Sequence, residues 1–260
     1  MKIYLRDDDL HPEQMEVFYN AYSALSSEKI LVNAAYVPFP IDNYRSSQYY
    51  DCLDDARESL MSIDNSINPE ELILKAKDLL LESKSLDIKV ELMLHGVCHK
   101  IFNINGDRYS EFSLLPLENL KNFTSFLNLY VSEFSRSPFF TPPSNNISIE
   151  NLVYLDKIGF ILAGKYLSKR KIKHWMAHLA LHKNGFHSPA FPSIETLFKN
   201  DKLESFFFYH WKRKADICIS THYWVLNKED ALRRVFFDLL QQSISRGYTF
   251  SSVKRLYENN

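Results

Sequence analysis

The sequence predicts a parallel α/β fold, an open sheet or a barrel, on three observations. Short β-rich runs alternate with helical stretches along most of its 260 residues. Hydrophobic residues make up 45% and charged residues 24%, a profile that can bury the core of one large domain or two small ones. Polar clusters also follow the carboxyl ends of the predicted strands, where parallel α/β folds collect their chemistry.

Each element rests on its own pattern. MKIYLR (1–6) reads as the first strand, with the acidic RDDD at its end. A helix is predicted from about Pro12 through PEQMEVFYNAYSAL. ILVNAAYVPF (30–39) is the second strand, ended by Pro38 and Pro40. Residues 41–68 are polar and read as irregular, an insertion that covers one end of the fold. PEELILKAKDLLLES has the apolar spacing of an amphipathic helix, with Pro69 in its first turn.

IKVELMLHG (88–96) is a largely apolar third strand, and HGVCH lies at its end. LLPLENLKNFTSFLNLYVSEF reads as helical and precedes a short strand, PFFTPP. ISIENLVYLDKIG is a helix ended by Gly159, and FILAG is the next strand. Within 165–215, KIKHWMAHLALH fits either a strand or a helix. DICISTHYW (216–224) alternates like a strand, and KEDALRRVFFDLLQQSISRG is a helix that Gly247 terminates.

Composition narrows the partners. Basic and acidic residues number 31 and 32, so neither a nucleic-acid backbone nor an acidic lipid surface is expected as the main partner. The 14% aromatic share suits stacking on sugar rings and suits an aromatic-rich core equally well. The charged start has no apolar signal-peptide core, and no run reaches the length of a membrane span. Three scattered cysteines, Cys52, Cys98 and Cys218, make no disulfide framework, and a cytoplasmic location is the expectation.

Four clusters carry the chemistry. Asp7, Asp8 and Asp9 are adjacent, and three carboxylates gain nothing from burial unless something positive sits among them. A solvated turn with one Asp capping the following helix is the plain alternative. His95 and His99 stand four apart, which on a helical turn puts both imidazoles on one face as metal ligands; backbone-bonded core histidines are the alternative. Two histidines and one carboxylate make a typical catalytic zinc set, and a second aspartate can act as base. His222, in ISTHYW, can supply the proton for a leaving group or be structural. TPPSNN (141–146) has two prolines that fix an extended backbone and then amide side chains, either a rigid substrate wall or an ordinary strand-to-helix turn.

Taken in order, RDDD, HGVCH, TPPSNN and THYW resemble the motifs of the polysaccharide deacetylase superfamily, carbohydrate esterase family four in the broad sense. The likeness is closest to a divergent branch with R-x-D-D, H-G-x-x-H, P-P-x-N and T-H-Y-W, and it runs from Met1 to about Trp224. It implies a deformed (β/α)7 barrel, one domain over 1–260, that hydrolyses an acyl group from a sugar amide. Asp8 then matches the catalytic base, and Asp9, His95 and His99 the ligands of a divalent metal, zinc by default. His222 matches the general acid. Thr141, Pro142, Pro143 and Asn145 match the groove wall, and Trp224 lines the pocket beside His222. Asp7 matches no catalytic role.

The chain departs from that pattern in three places. Leu10 stands where many members have Gly, and Gly96 stands where Ser or Thr is common. The usual third-motif Arg is missing, with Thr141 near its place, and Arg6 is a candidate substitute because strand residues two apart share a face with Asp8. His174, His178, His182 and His187 form a separate group; His182 is a candidate substrate contact, with solvated or core histidines as the alternative. The expected substrate is a carbohydrate or glycan precursor. A deformylase or cyclic-amide hydrolase on the same barrel, or a noncatalytic carbohydrate-binding descendant, are the alternatives.

Overall fold

The computed structural model describes residues 1–25, 30–41, 47–84, 88–134, 138–163 and 191–258. In chain order the strands are β1 Lys2–Leu10, β2 Leu31–Tyr36, β3 Ser47–Tyr50, β4 Lys89–Leu94 and β5 Ile101–Ile104. They continue with β6 Asp107–Ser110, β7 Phe139–Phe140, β8 Ile161–Leu162, β9 Ile217–Thr221 and β10 Thr249–Phe250. The α-helices are α1 Met15–Tyr22, α2 Leu53–Ser66, α3 Pro69–Ser83, α4 Glu111–Leu114, α5 Lys121–Glu133 and α6 Ile149–Ile158. After the undescribed stretch come α7 Ile194–Lys199, α8 Leu203–Arg213, α9 Tyr223–Lys228, α10 Asp230–Ser245 and α11 Lys254–Glu258. The architecture is mixed α/β, with a parallel sheet, a smaller three-stranded sheet and helices.

The chain divides into two compact units. The first comprises Met1–Ala35, Leu79–Leu92 and Pro189–Asn260. Its strand order is β10-β1-β2-β4, with β9 also pairing β1. β1 runs parallel to β9 from Ile3↔Ile217 to Asp7↔Thr221 and parallel to β10 at Lys2↔Thr249. Residues 3–10 of β1 are all buried, so both faces of this central strand are covered, as in parallel sheets with helices on each side. Ile3, Leu5, Ile217 and Ile219 fill the core, and Phe18, Tyr22 and Phe236 come in from helices.

The second unit comprises Tyr36–Asp78 and Met93–Ser188. The end of β4 continues it through β7 and β8, parallel at Leu94↔Phe140 and Phe139↔Ile161. A separate three-stranded sheet has the order β3-β5-β6. β5 and β6 form a hairpin whose turn, Asn105 and Gly106, has positive φ at both residues, the backbone that favours Asn-Gly. Phe112, Phe140 and Phe160 pack at ring distances of 4.8 and 5.8 Å to make the aromatic core.

Several elements agree with the sequence reading. α3 has the bounds read from its apolar spacing, and α6 ends at Gly159, whose φ of 106° is left-handed. Others differ. β1 runs past Arg6 to Leu10, so the aspartates belong to the strand itself. β2 ends at Tyr36, two residues before Pro38, and DICISTHYW is a strand only over Ile217–Thr221, because His222 caps α9. Residues 53–66, read as irregular, form α2: Cys52 caps it, Asp54 and Asp55 favour its first turn, and only Ala56, Leu60 and Asp64 are buried. That narrow stripe hid the helix inside a polar stretch. Pro116 divides LLPLENLKNFTSFLNLYVSEF into the end of α4, a 3-10 turn and α5. KIKHWMAHLALH, with His174, His178, His182 and His187, lies outside the described residues. Among the described residues no helix is long and apolar enough to cross a membrane.

Candidate metal centre

Asp7, Asp8 and Asp9 are all buried at the carboxyl end of β1. Strand geometry alternates their directions and gives each a different environment. Asp7 accepts from the Tyr22 hydroxyl and from the Tyr223 backbone N–H at 3.0 Å. Burial pushes its carboxyl well above the usual range, against the lowering effect of those two bonds and of the His222 charge.

Asp8 faces the same way as Arg6, as residues two apart in a strand should. The guanidinium holds it with two contacts, Nε to Oδ1 and NH2 to Oδ2, each at 2.8 Å. Both side chains are about nine-tenths shielded, and the guanidinium also stacks 5.2 Å from the Phe191 ring. Arg6 therefore occupies the partner position that the sequence suggested for it.

Asp9 has φ 71°, left-handed backbone that breaks the strand alternation and turns its side chain off the line set by Asp7. Its carbonyl accepts from the Tyr223 hydroxyl at 3.2 Å, which ties this turn to α9.

His95 and His99 sit in the loop after β4, not on a helical turn. Their rings approach to 4.8 Å because the loop bends at two left-handed residues, Gly96 at φ 80° and His99 at φ 55°. The four-residue spacing brings the rings together through loop geometry, a route that periodicity does not reveal. His95 N donates to the Tyr36 carbonyl at 2.7 Å, fastening the loop to the end of β2. His95 Nδ1 lies 2.8 Å from the Thr141 carbonyl, which can only accept; the proton is therefore on Nδ1 and the lone pair on Nε2. A backbone carbonyl behind one ring nitrogen is a common way to orient a ligating histidine.

Asp9, His95 and His99 are buried, and their possible ligand atoms all lie within 4.8 Å of one another. One carboxylate and two imidazoles form a mixed oxygen and nitrogen donor set, so this group can bind a divalent metal ion. The tautomer fixed at His95 fits that use.

Thr141 is buried and donates its N–H to the Leu94 carbonyl at 2.9 Å. Pro142 keeps an extended backbone (φ −68°, ψ 141°), and Pro143 to Asn145 make a 3-10 turn with Ser144 at φ 53°. The hairpin supports this turn: Arg108 donates to Ser144 Oγ at 3.1 Å, and Asn146 Nδ2 donates to the Arg108 carbonyl at 2.7 Å.

His222 caps α9, in the same unit as the aspartates. Its backbone N–H donates to Glu195 Oε1 at 2.8 Å, and its Nδ1 lies 3.2 Å from the same oxygen. Burial alone would lower the imidazole pKa, but the bond to Glu195 and the charges of Asp8, Asp9 and Glu195 outweigh it and push it up to about 9. Burial would likewise raise Glu195, yet its bonds from His222 and Ser193 hold it below the usual carboxylate range. The two directions agree, as an ion pair requires. Trp224 stands 5.4 Å from the His222 ring, with Lys228 Nζ 5.8 Å over the indole.

Two partners escaped the sequence reading. Glu195 follows the helix-capping Ser193 by two residues, and Glu111 follows the capping Ser110. Both look like ordinary first-turn acids, which favour a helix amino terminus. Each is buried, which their helix positions alone do not indicate.

No protein-family model matches the chain, and no curated protein does. Among solved structures, its fold aligns with that of a T48 deacetylase with substrate, at 9% identity and a TM-score of 0.43, covering 100% of this chain and 92% of that chain.

Proposed function

We propose that the protein is a metal-dependent hydrolase that removes an N-acyl group, acetyl in the first instance, from a sugar or glycan precursor. The observation that carries the reading is the buried donor set of Asp9, His95 and His99, within 4.8 Å of one another. The order of motifs along the chain supports the finer assignment, a single deformed (β/α)7 domain of the polysaccharide deacetylase type.

A bound divalent ion, zinc by default, supplies Lewis-acid polarisation of the acyl carbonyl and a more acidic water. Asp9 would hold that ion through a carboxylate oxygen, and the two histidines through imidazole nitrogens. Asp8 accepts the proton of the attacking water, with Arg6 keeping its carboxylate aimed. His222 gives a proton to the departing amine, and Glu195 keeps that ring protonated at neutral pH. Thr141, Pro142, Pro143, Asn145 and Trp224 line the acyl and sugar side in this reading.

The test is metal content of the purified protein together with chelator-sensitive release of acetate from N-acetylated sugars. Asp9→Ala and His95→Ala should lose both the metal and the activity. An active protein with no stoichiometric metal, indifferent to either substitution, overturns the proposal. Formate release or ring opening in a parallel screen would favour a different C–N bond. Saccharide binding without acyl release, unaffected by Asp8→Asn, would favour a binding protein.

A further inference from the structure

We infer that Glu111 is the positioning residue of the His95–His99 loop, setting the angle at which both imidazoles meet a metal ion; this rests on the metal-dependent reading above. Gly96 and His99 both hold left-handed backbone, a conformation that a histidine seldom adopts unless its surroundings impose it. Glu111, with no exposure, supplies those surroundings.

Its Oε2 accepts the backbone N–H groups of Cys98 and Lys100, each at 3.1 Å, and these are the two residues that flank His99. Its Oε1 accepts the N–H of Val97 at 2.6 Å, immediately after Gly96. The Cys98 thiol donates to Oε2 as well. Both left-handed turns therefore close around one carboxylate.

The fit is tight in a way that depends on glycine. A Cβ at Gly96 would lie 2.4 Å from Glu111 Oε1, closer than real side chains come. Glu111 is anchored in turn. It opens α4, where Ser110 and Ser113 form a reciprocal cap, and its own N–H donates to the Lys100 carbonyl at 3.1 Å. The carboxylate is 14 residues from Val97 in sequence yet grips the loop from inside.

An amide at this position offers one oxygen instead of two and points an N–H group at backbone N–H groups. The turn at His99 then loses its bracket. Metal-free wild-type, Glu111→Gln and Asp64→Ala proteins are compared by chelator competition with Zn²⁺ and by the visible spectrum of the Co²⁺ form. Asp64 is the control: it is buried in the same unit, and its Oδ1 accepts the Phe123 N–H at 2.8 Å, a bond that involves no residue of the loop. Glu111→Gln should weaken Zn²⁺ binding about 10–100-fold and alter the Co²⁺ spectrum, the size expected for losing a group that orients ligands. Asp64→Ala should stay within about threefold of wild type despite lower thermal stability.

Equal affinity in Glu111→Gln and wild type overturns the inference, as does a parallel loss in Asp64→Ala. If Glu111→Gln does not fold, Glu111→Asp, which shortens the reach, is judged by the same criteria. A wild-type protein that binds no metal overturns the functional reading and the inference together. A wild-type protein that binds metal, with Glu111→Gln unchanged, overturns the inference alone.

Discussion

Replacing Glu195 with Gln should weaken the hold of His222 on its proton. In the folded protein the imidazole is pushed from its ordinary 6.5 to about 9, although burial opposes the shift. At about 1.4 kcal/mol per pH unit, this amounts to a preference for the charged ring of roughly 3 kcal/mol. The side chain is 30% exposed and Glu195 only 10%, so solvent screens the pair incompletely. The amide keeps an oxygen near Nδ1 but removes the charge. Burial and the Asp8 and Asp9 carboxylates then compete, and the His222 pKa should fall by at least about one pH unit.

The sign of the stability effect follows. A group whose folded pKa lies above its unfolded value stabilises fully below the unfolded value and loses that contribution as pH rises through the folded one. Wild-type protein should therefore lose up to roughly 3 kcal/mol from this site between pH 6.5 and about 9. Glu195→Gln should lose much less over the same interval. NMR titration of the ring in metal-free protein reads the pKa, and urea unfolding at both ends of the interval reads the stability difference. A dication held by Asp9 offsets part of that carboxylate's charge, so loading the metal should lower the His222 value further. A variant ring still titrating near 9, or equal pH slopes in both proteins, would refute the coupling.

Two further substitutions probe the parts that hold the site. Arg6→Met leaves the Asp8 carboxylate buried without its cation, and breaking such a pair should cost about 3–5 kcal/mol in denaturant unfolding, partly recovered in the double variant with Asp8→Asn. Gly96→Ala places a Cβ 2.6 Å from Pro143 Cγ and 2.4 Å from Glu111 Oε1 at a φ of 80°. It should cost about 2–4 kcal/mol and weaken metal binding, with Tm and Zn²⁺ titration as the measurements.

Much of the fold was legible because strand alternation, helix periodicity and Pro or Gly stops act within a few residues. α3 and the Gly159 stop of α6 are of this kind. α2 was not legible, because its buried face is only Ala56, Leu60 and Asp64 and its cap is a cysteine. The candidate site divides in the same way. Arg6 and Asp8 are two apart in one strand, so their pairing follows from alternation. Glu195 and His222 are 27 residues apart, and nothing local announces the pair.

The sequence by itself determined which donors are available: a carboxylate run at the first strand end, two imidazoles after another, and a late histidine. Tertiary structure decided what each does, because burial and hydrogen-bond partners depend on which elements pack together. It placed Asp7 against Tyr22, gave Asp8 a guanidinium and turned Asp9 aside at φ 71°. It also brought His95 and His99 together through a loop bent around Glu111, where sequence spacing had suggested a helix. Chemical type is written residue by residue, whereas pKa and direction are properties of surroundings assembled from distant parts of the chain.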